Sequence, residues 1–193
     1  MKLCVFDDMS QCTEADVNRL LPLVSPLRRE QALRYKHTFG QWTCLKAYEC
    51  LMTLLGDTPN TMASRQVLFN EYGKPRFADG PCFSISHCKH AIAVVTHSLE
   101  IGIDIESIRH TDSALVERTM NADERRAIAE DSCPDRMFTS LWTRKEAVLK
   151  YRGTGIIDNL QDVLLPDTLT DIELLTTVTD TYVYTIARRL THG

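Results

Sequence analysis

The chain has 193 residues, 44% of them hydrophobic and 25% charged, with 8 Gly and 7 Pro. These values sit near the globular average and exclude disordered, collagen-like and other fibrous classes. A net charge of −4, from 22 Lys+Arg against 26 Asp+Glu, lacks the overall basic footprint of a general nucleic-acid binder.

Leu3–Phe6 reads as a first strand ending at Asp7-Asp8. Thr13 caps a short helix to about Leu21, and Ser25-Pro26 pairs an N-cap with proline at the first helical position. The helix expected over 26–36 is rich in Arg28, Arg29, Arg34 and Lys36. A longer one over 40–55 carries the apolar stripe Leu45, Tyr48, Leu51, Met52, Leu55 and stops at Gly56. Beyond Pro59, Val67–Phe69 is strand-like and Glu71–Pro75 is a turn cluster. Phe83–Ser86, Ala91–Thr96 and Ile101–Glu106 read as strands, with 96–101 as a hairpin or a half-boundary. Helices are expected from Asp112, from Asn121, and from Pro134 to about Tyr151, the last ended by Gly153. Strands are expected near 162–165, 171–178 and 181–188. Helices and strands mix without β-α-β alternation, which predicts an α+β fold.

No apolar run reaches the roughly 18 residues that span a bilayer. Asp7-Asp8 interrupt the start, where a secretion signal keeps an apolar stretch. The expectation is a soluble cytoplasmic protein with no membrane or nucleic-acid partner. The 7 Cys are scattered and form no C-x-x-C, which speaks against a disulfide framework or a zinc site.

Four constellations carry chemistry. In Gly102-Ile103-Asp104-Ile105-Glu106 the isoleucines point into a core and the two carboxylates share the other face, with Cα atoms about 7 Å apart. Such oxygens suit Mg²⁺, and Gly102 leaves room for a ligand. Taken alone, a solvated strand face explains them better. On a helix Trp142, Glu146 and Lys150 share one stripe, Glu before Lys. Taken alone, this is a surface ion pair, although a tryptophan beside it argues against full solvation. Ser86-His87 ends a strand without a G-x-S-x-G elbow, so a hydrolase reading fails and anion donors fit better. Gly73-Lys74-Pro75-Arg76 is no Walker loop, but Lys74 in a rigid turn can hold a phosphate.

In order, GKP, F-S-I-S-H, G-I-D-I-E and W-x-x-K-E-A-x-x-K-x-x-G-x-G resemble the signature of the 4′-phosphopantetheinyl transferases, in their Sfp-like monomeric branch. The last motif is Trp142, Lys145, Glu146, Ala147, Lys150, Gly153 and Gly155, and the resemblance runs from about residue 24 to 157. It implies two similar α+β halves, 1–98 and 99–193, with the active site in the cleft between them. It implies a monomer that moves the phosphopantetheine arm of coenzyme A to a serine of an acyl or peptidyl carrier protein and releases 3′,5′-ADP. Asp104, Glu106 and Glu146 would hold Mg²⁺. Glu146 would be the base, directly or through a water, and Lys150 would stabilise phosphate charge. Arg28, Lys74, Ser86 and His87 would hold coenzyme A, and Glu124 matches a position near the active site. Gln31 stands where relatives can carry a second base after Arg28. The alternative is a non-catalytic module that binds coenzyme A or carrier proteins. Another Mg²⁺-dependent phosphotransferase is disfavoured by the missing P-loop and kinase motifs. The carrier's pathway, in fatty acid, polyketide or peptide synthesis, stays open.

Overall fold

The computed structural model describes residues 1–155 and 159–190. The first layer opens with β1 (Lys2–Phe6) and α1 (Glu14–Leu20), whose cap is the Thr13 hydroxyl accepting the Asp16 N–H. Ser25 caps α2 (Pro26–Leu33) by accepting the Arg28 N–H. That helix stops short of 36; Arg34 closes it, and the Tyr35 ring folds back against Gly40. The core of the layer is α3 (Thr38–Leu55), ended by Gly56 at φ 71°, a left-handed conformation that glycine adopts without steric cost. A short helix, α4 (Pro59–Ser64), was not among the expected elements. Its Thr58–Thr61 capping box is the signal that marks it.

After the hairpin of β2 (Val67–Phe69) and β3 (Pro75–Phe77) come β4 (Cys82–His87) and β5 (Ile92–His97). The first sheet is antiparallel in the order β1-β5-β4, and α3 packs on it. Trp42, Leu45 and Leu51 of α3 are wholly buried there with Phe83 and Ile92. Each such side chain is worth about 1.5–3 kcal/mol of burial.

The second layer begins with β6 (Ile101–Ser107). Next come α5 (Ser113–Thr119), α6 (Ala122–Glu130) and α7 (Pro134–Arg152), then β7 (Ile172–Val178) and β8 (Tyr182–Arg189). Its sheet is antiparallel in the order β6-β8-β7, with α7 across β6 and β8. Helices on antiparallel sheets make the fold α+β. The 96–101 stretch is not a hairpin, because β5 and β6 belong to different sheets. The expected strand near 162–165 is instead a 3₁₀ turn at Leu160–Asp162. Asn159 bonds the Asp162 carboxylate, Pro166 follows, and Leu160 and Val163 bury against α7 as a turn rather than a strand.

The two sheets meet along β4 and β6, where the Ser84 hydroxyl accepts the Ile103 N–H at 3.0 Å. Ile101, Ile103 and Ile105 lie with Ala93 and Val95 in one shared cluster. Among the described residues the cysteines are free thiols, and no helix is long and apolar enough to cross a membrane.

Candidate active site

Strand alternation sends Asp104 to the face of β6 that α7 covers, opposite the isoleucine face. Asp104 is only 3% exposed, so the solvated-face explanation fails. Gly102 has a different role from the one expected. A Cβ there would lie 2.2 Å from the Ala147 carbonyl oxygen and 2.4 Å from the Tyr151 nitrogen. The space beside Gly102 is filled by the α7 backbone rather than left for a ligand. The missing side chain lets the helix approach the strand closely enough for Lys150 to reach Asp104.

Pro134 opens α7 and Gly153, at φ 69°, closes it, so Trp142, Glu146 and Lys150 form the half-buried stripe expected of them. The Lys150 ammonium lies 2.6 Å from Asp104 Oδ1. It also donates to Ser86 Oγ at 2.8 Å, and that hydroxyl donates to the same Asp104 oxygen at 2.8 Å. Three chain-distant residues thus close a triangle. Ser86 gives its proton to the carboxylate, a different arrangement from a donor pointed at an anion. His87 ends β4 on its exposed side, and partial desolvation together with the Lys150 charge holds its pKa below the ordinary value.

Asp104 Oδ2 and Glu146 Oε1 are both buried without a hydrogen-bond partner. A buried carboxylate oxygen left so is costly unless something positive or donating fills the gap. Burial and the Asp104 charge push the Glu106 pKa up to about 7 and raise that of Glu146 as well. Three carboxylates thus lie near the Lys150 ammonium, with Arg109 beside Glu106. Among the described residues no group of three or more His, Cys, Asp or Glu is gathered tightly enough to cage a metal as it stands. The orphaned oxygens and surplus negative charge still fit a hard cation, since Mg²⁺ needs only one or two carboxylates beside water and phosphate.

Two cavities flank these groups. One of about 270 Å³ is lined by Tyr72, Lys74, Phe83, Glu146, Lys150 and Gly155. The other, about 470 Å³, lies on the Glu106 side with Arg109, Arg118, Phe138 and Trp142 in its wall. A third, of about 420 Å³, shares Gly73 and Pro75 with the first and holds Arg28 and Cys44. Arg28 therefore lies one cavity away from the carboxylates.

Lys74 lines the first cavity, but its ammonium already has three acceptors. These are Glu100 Oε2 at 2.6 Å, the Tyr151 carbonyl at 3.1 Å and the Ile101 carbonyl at 3.4 Å. Next to it Asn70 Nδ2 donates to the Gly153 carbonyl at 2.7 Å. The 70–74 turn is thus strapped to the end of α7, and a phosphate reaching Lys74 must compete with Glu100. Glu124 forms the capping box of α6 with Asn121 and lies 2.8 Å from Lys145 Nζ. Lys145 is fully buried, also donates to the Leu160 carbonyl, and has its pKa lowered by that burial. This pair ties α6, α7 and the following turn together.

Sequence reasoning missed Tyr48, Cys44, Asn70 and Thr185. Tyr48 lies under Arg28, and Thr185, opposite Asp104 in the β6–β8 register, bonds Thr143 and Thr176. The signals available were weak: Cys44 and Tyr48 are spaced i, i+4, and Asn70 sits four residues before Lys74.

The family model for the 4′-phosphopantetheinyl transferase superfamily matches residues 100–189, the stretch from β6 through β8. The chain is 28% identical over 179 residues to the 4′-phosphopantetheinyl transferase ffp of Bacillus subtilis, covering 84% of this chain and 76% of that protein. Against Sfp of Bacillus subtilis strain 168 it is 27% identical, with the same coverage. A shorter match, 36% identical over 96 residues, links it to AcpT of Salmonella typhi and covers 46% of this chain and 50% of that protein. The carboxylate-bearing β6 and the Glu146–Lys150 stripe of α7 both fall inside the stretch that the superfamily model matches, and over most of its length the chain is similar to the 4′-phosphopantetheinyl transferases ffp and Sfp.

Proposed function

We propose that the protein transfers the 4′-phosphopantetheine group of coenzyme A to a serine of an apo acyl or peptidyl carrier protein and releases 3′,5′-ADP. The observation that carries this reading is the meeting of Asp104, Ser86 and Lys150, with buried unpartnered oxygens on Asp104 and Glu146. Asp104, Glu106 and Glu146 would hold Mg²⁺, which supplies charge neutralisation at the pyrophosphate. Glu146 takes the proton of the acceptor serine as that hydroxyl attacks the phosphorus bearing the pantetheine arm. The bond to the bridging oxygen breaks, and 3′,5′-ADP leaves with the electron pair. Lys150 offsets the negative charge that grows on the transferring phosphate and its leaving group. Arg28, His87 and, on displacing Glu100, Lys74 bind the nucleotide and its phosphates, while Ser86 keeps Asp104 and Lys150 in register. The cavity beside Glu106, with Arg109 and Arg118 in its wall, gives an acidic carrier segment its approach.

The same proposal includes halves at 1–98 and 99–193 with the site between them, and a cytoplasmic monomer. The test is mass spectrometry of a panel of apo carriers incubated with the protein, Mg²⁺ and coenzyme A. A mass gain of one phosphopantetheine arm is expected. No gain with any fatty acid, polyketide or peptide carrier overturns the reading. Tight Mg²⁺-dependent binding of coenzyme A without turnover favours the non-catalytic module instead.

A further inference from the structure

Arg28 reaches from the first turn of α2 onto α3. Its guanidinium carbon lies 3.5 Å from the centre of the Tyr48 ring, and Nη1 lies 3.3 Å from Cys44 Sγ. Its Nε is buried with no hydrogen-bond partner. Cys44 and Tyr48 are one helical turn apart, so α3 presents a thiol and an aromatic face to one cation. Tyr48 itself is 5% exposed and belongs to the first-layer core, which fixes its ring.

The charge consequences are specific. Arg19, Arg34 and Arg65 are each held by a carboxylate, from Asp16, Glu30 and Asp57. Among the described residues Arg28 makes no such pair. A carboxylate support would neutralise the guanidinium before any ligand arrived, whereas an aromatic face orients it and leaves its charge available. Gln31 and Cys44, both neutral, share its cavity. The guanidinium is thus oriented, partly desolvated and short of acceptors, which is the state that favours an incoming anion.

We propose that Tyr48 is a positioning residue for coenzyme A binding: its ring holds Arg28 in place so that the guanidinium, paired with no carboxylate, receives an anionic group of the nucleotide. This rests on the proposed function, which makes coenzyme A the ligand of the Arg28 cavity. Tyr48 acts through Arg28 and touches none of the groups on β6 or α7 described above, so it governs affinity rather than turnover.

The test begins with calorimetric titration of coenzyme A and Mg²⁺ into the unaltered protein. No binding there overturns the proposed function and this inference together. Given binding, Tyr48→Leu is expected to weaken coenzyme A about tenfold in both Kd and KM. At saturating coenzyme A its kcat should stay within about twofold of the unaltered protein, and Tyr48→Phe should restore affinity to within about threefold. Arg28→Ala combined with Tyr48→Leu should be no weaker than Arg28→Ala alone. Normal binding by Tyr48→Leu, failure of Tyr48→Phe to rescue, or losses that multiply in the double variant each overturn the positioning role while leaving the transferase reading intact. Circular dichroism and melting confirm folding. Should Tyr48→Leu not fold, Tyr48→Met fills similar space without an aromatic face and carries the same expectations.

Discussion

The two helix-on-sheet layers differ chiefly in what their long helices present. On β1-β5-β4, α3 offers Cys44 and Tyr48, an uncharged i, i+4 pair that supports a cation belonging to α2. On β6-β8-β7, α7 offers Glu146 and Lys150, a charged pair at the same spacing whose lysine meets a carboxylate of β6. Similar architecture thus yields an uncharged support surface in one layer and charged groups beside a buried carboxylate in the other. The difference lies in the few positions that escape the core. It also lies in the strand partner, where Gly102 lets α7 come close enough for its polar stripe to be used.

The largest test of that contrast removes the acid at the centre of the second layer. Asp104→Ala is expected to lower kcat/KM for carrier modification by about a thousandfold or more, while a folded protein remains by circular dichroism. An activity loss under about tenfold would show that the reactive pair does not depend on β6. Next comes the spacing itself. Gly102→Ala places a methyl group against the backbone of α7, and the expected cost is about 2–3 kcal/mol of stability with activity falling in parallel. A melting temperature equal to that of the unaltered protein would mean that helix and strand are not in firm contact there.

The smallest effect belongs to the first layer and is confined to stability. Arg65 donates to Asp57 from Nε and Nη2, and this bonding, led by the hydrogen bond, holds the Asp57 pKa below its ordinary value of 3.8. A depressed acid stabilises the fold above its unfolded-state pKa and loses that contribution as pH falls through the folded value. Asp57→Asn should therefore cost about 1 kcal/mol at pH 7 in denaturant unfolding, with the gap to the unaltered protein closing below about pH 4. Carrier modification should be unchanged. A gap that stays constant down to pH 2 would assign the cost to geometry instead of charge.

The local parts of this comparison were legible in the amino-acid sequence. Pro134 and Gly153 bracket α7, Ser25-Pro26 starts α2, Gly56 ends α3, and the alternation of 101–106 sends Asp104 and the isoleucines to opposite faces. Each is a short-range rule acting within a few residues. What escaped depends on contacts between distant segments. Spacing cannot reveal that Lys74 meets Glu100 and the Tyr151 carbonyl, that Gly102 faces a helix forty-odd residues later, or that Tyr48 carries Arg28. The turn at Leu160–Asp162 was misread for the same reason. Its apolar residues pack on α7, so their strand-like composition reports a neighbour and not a strand.

The strap from Asn70 and Lys74 to the final carbonyls of α7 has a mechanical consequence. It joins one wall of the cavity beside Lys150 to the end of the helix that bears Glu146 and Lys150, and it leaves no room for a side chain at Gly153, where a Cβ would lie 2.9 Å from Asn70 Nδ2 and 3.0 Å from Lys74 Cδ. A shift of that loop must either break these bonds or carry the end of α7 with it.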